Sequence, residues 1–144
     1  MGSDENKAII RGFVDEIVNK GNMAAADEFL ASGFTIHFPT LHTLEGADAF
    51  VEIPTAVRSA FPDLVETIED LIAEGDRVVE RATIRGTHRG EFMGRPPTGK
   101  PVTWTGNFIY RLEGGKIVEC WAEPNFLGLV LQTGAASVKR GLLA

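Results

Sequence analysis

The chain has 144 residues, 44% hydrophobic and 24% charged, with 14 basic against 20 acidic side chains and a net charge of −6. That is one domain's length and an ordinary globular mix, able to bury roughly 68–70% of its unfolded surface without a metal or disulfide staple. The balance argues against a nucleic-acid partner, the lone Cys120 against a disulfide or Cys-rich zinc site, and the lack of any apolar run near ~20 residues against a membrane span.

The polar start, Met1 to Lys7, has no signal-peptide pattern, so a cytoplasmic location is expected. Ile9, Ile10, Phe13, Val14, Ile17 and Val18 recur at helical spacing, with Ser3 as N-cap and Lys20-Gly21-Asn22 as the stop. A short second helix runs from Ala24 to Leu30 and ends at Ser32-Gly33. Phe34–Phe38 alternates between Gly33 and Pro39 and reads as a strand. Residues 46–60 are helical, with Pro54 expected to kink or divide the helix. Strands follow at Leu64–Ala73, Arg77–His88, Val102–Leu112 and Ile117–Glu123, separated by the turn Glu74–Arg77, the Gly- and Pro-rich loop Gly90–Pro101 and the hairpin signal Glu113–Lys116. Phe126–Gln132 forms a last helical turn or two. The expectation is a single domain over 1–144, with its core at about 6–134 and a tail at 135–144.

Helices first and strands later is the α+β pattern. A curved, mostly antiparallel sheet wrapped round the amino-terminal helices leaves a cone with one open mouth, the kind of concavity in which small ligands sit. Val102, Trp104, Gly106, Phe108, Tyr110 and Leu112 form the apolar, inward face of their strand. The facing strand depends on the hairpin. A two-residue Gly114-Gly115 turn pairs Phe108 with Trp121. A three-residue loop with a bulge pairs Phe108 with Cys120 and is preferred, since it puts Val118, Cys120 and Ala122 inside. Ile117, Glu119, Trp121 and Glu123 then lie outside. In the other register Glu123 enters the pocket as a carboxylate base. Glu80 or Arg81 must point inward on the long central strand, and an inward charge needs pairing.

The segments Ala60–Leu64, Leu71–Val79, Gly86–Gly94, Pro96–Lys100 and Val102–Gly106, with the Gly114–Glu119 turn and Leu127–Leu129, resemble the SnoaL-like polyketide cyclases of the NTF2-like superfamily. The resemblance runs from about Asn6 to Gly134. It implies an NTF2-like cone and cofactor-free acid/base chemistry of the cyclase or isomerase type on a small hydrophobic carbonyl compound. It also implies a homodimer or tetramer through the outer sheet face, here Ile109, Ile117 and Trp121. The family's aspartate on the last strand and histidine on the strand before align with Ala122 and Phe108, and Cys120 and Asn125 stand where many relatives have histidine and aspartate. The aldol mechanism therefore does not carry over with the fold.

His37 is the leading remaining acid/base candidate, since its imidazole titrates near neutral pH and a general base sits in roughly this region of the related ketosteroid isomerases. The alternative is a histidine that bonds the backbone around Pro39–His42. His88 reads better as a fixture of the Gly86–Gly94 loop than as a pocket group, His42 as solvated, and Cys120 as a small buried apolar residue. The histidines lack metal-ligand spacing, so no metal and no cofactor are expected. Phe13, Ile17, Phe34, Phe92, Trp104, Phe108, Cys120, Ala122 and Asn125 are the expected ligand-binding set. A non-catalytic protein that binds or shapes a hydrophobic substrate is the second reading, because the usual acid and base are missing. A small stress or interaction domain is the third.

Overall fold

The computed structural model describes residues 2–39 and 43–134. Helix α1 (Ser3–Phe13) carries Asp4 and Glu5 in its first turn, where they favour the positive helix end. It buries Ile10 and Phe13 and passes directly into a π-helical segment, Val14–Asn19, which buries Val14 and Ile17. The wider turn closes through the Lys20 amide donating to Asp15. A 3-10 turn (Met23–Ala25) and the single helical turn α2 (Ala26–Phe29) follow. The expected second helix is cut short here, because the chain is already extended at Leu30.

Strand β1 (Leu30–His37) and the two-residue β2 (Leu44–Glu45) precede helix α3 (Ala47–Ala60), which runs undivided through Pro54. The strands β3 (Val65–Glu74), β4 (Arg77–Thr87), β5 (Pro101–Glu113) and β6 (Lys116–Pro124) complete one sheet in the order β2-β1-β6-β5-β4-β3. Among the described strands only β1 and β6 pair in parallel. Helix α4 (Phe126–Gln132) closes the described chain, with the Asn125 side chain accepting from the Gly128 amide. The expected α+β cone is present: α1 and the π-helical segment fill the concave face with Ile10, Phe13, Val14 and Ile17 against Phe34, Val78, Tyr110, Leu112 and Ile117. No described helix is long and apolar enough to cross a membrane. His42 and the tail at 135–144 lie outside the described residues.

The hairpin follows neither expected register. Gly114 and Gly115 both have positive φ (58° and 82°), which is the two-residue turn that matches strand twist. The extra residue sits instead in a bulge at Val118: Leu112 faces Ile117, but Arg111 faces Glu119. Phe108 therefore pairs with Ala122 and Tyr110 with Cys120. Beyond the bulge Cys120 and Ala122 point inward, as expected for the preferred loop. Before it the parity is reversed, so Ile117 is buried and Val118 is not. Ile117 accordingly leaves the outer face, where only Ile109 and Trp121 of the expected interface residues remain.

Strand β3 holds a second bulge, between Ile68 and Asp70. Simple alternation would leave Leu71 opposite Glu66. The bulge restores Leu71 and Ala73 to the face that carries Glu66 and Ile68.

Candidate active site

The cone holds a cavity of about 580 Å³. Its walls are almost wholly apolar: Phe13 from α1, Phe34 and Ile36 from β1, Phe50 and Ile53 from α3, Phe92 and Met93 from the 88–100 loop, Trp104 and Phe108 from β5, and Cys120 from β6. Phe13, Phe34, Phe50 and Tyr110 pack as edge-on or tilted ring pairs at 5.3–6.0 Å. Such walls keep water out and leave the few polar groups to decide the chemistry.

Among the lining residues those groups are Glu52, Arg58, Glu66 and Tyr110. Glu66 lines the cavity from β3, and Glu80 on β4, with no exposed surface, lies behind it. Tyr110 on β5 donates its hydroxyl proton to Glu80 Oε1 at 2.9 Å. Burial, then the charge of Glu80, then a hydrogen bond in which Glu66 donates to Glu80, hold the Glu66 carboxyl well above the ordinary range. Burial also raises Glu80, offset by the hydrogen bonds it accepts from Glu66 and Tyr110. Two adjoining carboxyls in apolar surroundings cannot both ionise cheaply, so a proton they share stays mainly on Glu66, the more strongly raised of the two. Burial likewise pushes the Tyr110 phenol and the Cys120 thiol well up, reinforced by the Glu80 and Glu66 charges. Cys120 is therefore a protonated, apolar wall residue and not a thiolate nucleophile.

Arg58 is the cation among the lining side chains, and it is already engaged. Its guanidinium donates to the carbonyls of Val18 at 2.7 Å, Asn19 at 3.1 Å and Pro62 at 3.4 Å. Among the described residues the site thus offers an anionic ligand no uncommitted positive charge.

Of the expected binding set, Phe13, Phe34, Phe92, Trp104, Phe108 and Cys120 line the cavity. Ile17 and Ala122 do not; both are packed into the solid core. Asn125 is exposed and caps α4. Glu123 is exposed and pairs across the sheet with Asn107 on the outer face.

His37 is also on that outer face, not in the cone. Its strand turns Phe34 and Ile36 inward, so the residue between and after them turns out. The imidazole stacks on Trp121 at 5.5 Å, and its Nε2 lies 2.6 Å from Glu119, which Arg111 also holds at 3.1 Å. Arg77 covers the Trp121 ring at 4.9 Å. The hydrogen bond from His37, and after it the one from Arg111, lower the Glu119 carboxyl. His37→Ala should change kcat/KM by less than about twofold and cost about 0–1 kcal/mol of stability, the usual worth of a surface ion pair. Steady-state kinetics and thermal melts read both, and a large loss of turnover in a folded variant would return His37 to the chemistry.

His88 is fully buried and fixes a loop, as the sequence suggests. Its Nδ1 accepts from the Thr98 amide at 3.2 Å, which assigns the ring proton to Nε2. Its backbone donates to Lys100 and accepts from Gly99.

A helix-filled α+β cone around an apolar cavity is the NTF2-like fold. The chain belongs to the SnoaL-like polyketide cyclase family, whose family model matches residues 8–133. It is similar to AclR, a candidate hydroxylase from Streptomyces galilaeus, at 30% identity over 99% of this chain and 89% of that one (TM-score 0.86). It is similar to IdmH, a candidate polyketide cyclase from Streptomyces antibioticus, at 29% identity over 90% and 98% of the two chains (TM-score 0.80). TsrD from Streptomyces laurentii is 26% identical over 94% and 99% (TM-score 0.83). None of the curated proteins matches the chain.

Proposed function

We propose that the protein is a cofactor-free acid/base enzyme of the cyclase or isomerase type, acting on a neutral hydrophobic carbonyl compound. The carboxyl pair of half-buried Glu66 and buried Glu80 at the wall of an apolar cavity carries this reading. It stands in for the family's aspartate and histidine, whose positions here hold Ala122 and Phe108.

The pair can carry one proton or two, but not none. In the resting state Glu66 donates its O–H to Glu80. Passing that proton to Glu80 turns Glu66 into a carboxylate base facing the substrate. It then takes a proton from the carbon beside the carbonyl, and the pair holds two. The resulting enolate attacks a second carbonyl or is reprotonated elsewhere, and Glu66 returns a proton to the new alkoxide or carbon. No proton is gained or lost overall. Tyr110 steadies Glu80 while it is charged.

The test is proton exchange. With a neutral aryl 1,3-diketone in D₂O, NMR should show wild-type protein catalysing deuterium incorporation at the activated carbon, and Glu66→Gln failing to do so. A Glu66→Gln variant that exchanges at the wild-type rate removes Glu66 from the chemistry. Tight diketone binding without any catalysed exchange favours the non-catalytic binding reading, for which the apolar pair Phe108 and Ala122 speaks.

A further inference from the structure

Glu66 lies on β3, the edge of the sheet, where strand neighbours fix only one side of the backbone. The open side is not left to solvent at this residue. The Glu66 amide donates to Asn19 Oδ1 at 2.6 Å, and Asn19 Nδ2 donates back to the Glu66 carbonyl at 3.0 Å. One side chain thus does for Glu66 what a neighbouring strand would do. Asn19 is the last residue of the π-helical segment, and its own carbonyl accepts from Arg58 on α3 at 3.1 Å. π-Helical turns widen a helix locally and often occur beside functional groups. Here the turn ends in a side chain that grips the backbone of the edge strand.

We propose that Asn19 is a positioning residue for the carboxyl pair, clamping the Glu66 backbone so that its carboxyl faces Glu80 across the cavity wall. The inference rests on Glu66 being the group that meets substrate, but its geometry stands without turnover. The titratable groups that face Glu66 are Glu80 on β4, Tyr110 on β5 and Cys120 on β6. Glu52 and Arg58 line the same cavity from α3, and Arg58 is held by backbone carbonyls.

The test follows the titration of the pair in the free protein. The Cδ resonances of ¹³C-labelled glutamate report it, assigned by loss of a peak in Glu66→Gln and in Glu80→Gln. Asn19→Ala releases the clamp, so the Glu66 midpoint should move down toward the ordinary carboxylate range, and turnover of the diketone should fall about 10–100-fold. Asn19→Asp keeps the acceptor for the Glu66 amide but loses the donor to the Glu66 carbonyl, and its added negative charge opposes the release, so its midpoint should fall less than that of Asn19→Ala. General loosening of the fold would move both variants equally. An unchanged titration in folded Asn19→Ala overturns the proposal. If that variant does not fold, titration and turnover both unchanged in Asn19→Asp overturn it. Should wild-type protein show no catalysed exchange, the functional reading fails, while the titrations still decide the role of Asn19.

Discussion

Glu66→Gln should remove turnover and at the same time make the protein more stable. The side-chain amide introduced by that substitution can donate to Glu80 as the protonated Glu66 does, so the local hydrogen bonding survives. The proton that chemistry needs does not, and loss of a general acid/base group costs about 10²–10⁴-fold in kcat. Stability moves the other way. A carboxyl raised in the folded state contributes its full stability below its unfolded pKa, and loses it as pH rises toward its folded value. Wild-type protein therefore loses about 1.4 kcal/mol per pH unit relative to Glu66→Gln, starting near the ordinary glutamate value of about 4.3. The two should melt together at acid pH and separate as pH rises, by about 2–4 °C for each kcal/mol. Thermal melts across pH 4–8 beside single-turnover kinetics give both answers. A melting difference flat in pH would mean that Glu66 carries no displaced proton.

This opposition is a common signature of functional groups: a buried, partly charged pair is worse for folding than neutral isosteres. Tyr110 satisfies Glu80 Oε1, and Oε2 has no partner of fixed geometry among the described residues.

The architecture was largely legible in the residues. The apolar stripe of α1, the alternation of β5 and the double glycine of the hairpin each have a direct physical cause. The acid pair was only half legible. An inward charge at Glu80 or Arg81 was expected, and the structure turns Glu80 in and pairs Arg81 with Asp70 outside at 2.6 Å. Its partner Glu66 was hidden, because plain alternation groups it with Asp70 and Ile72 as well as Ile68. Only the bulge between Ile68 and Asp70 separates them, and a bulge leaves no mark in composition. The same holds for Val118 in β6. His37 is different, since its true side could be read: Phe34, Ile36 and Phe38 form the apolar face, so His37 falls on the other. The expected catalytic role there followed the resemblance instead of the strand's own parity.

The cavity has one wall that is not sheet or helix, and its attachment gives the second large effect. Residues 88–100 bring Phe92 and Met93 over the site. The loop is closed on itself at His88, through Thr98, Gly99 and Lys100. Its root is tied to the end of α3, where the amides of Arg89 and Gly90 both donate to the Ala60 carbonyl at 3.0 and 3.1 Å. Gly90 lies so close to the helix that an added Cβ would fall 2.2 Å from the Ser59 carbonyl oxygen and 3.2 Å from Ala60 Cα. Both are backbone atoms, which cannot swing aside. Gly90→Ala must therefore lift the loop root off α3, at about 1–3 kcal/mol or more. Loss of Phe92 from the wall should weaken diketone binding as well. Gly33→Ala is the matched control, since its Cβ would meet nothing within 4 Å. Calorimetric melting should place Gly90→Ala well below both wild type and Gly33→Ala, with ligand affinity falling in Gly90→Ala alone. Equal melting of the two variants would mean that the loop root yields freely, and that the wall over the cavity is not held by α3.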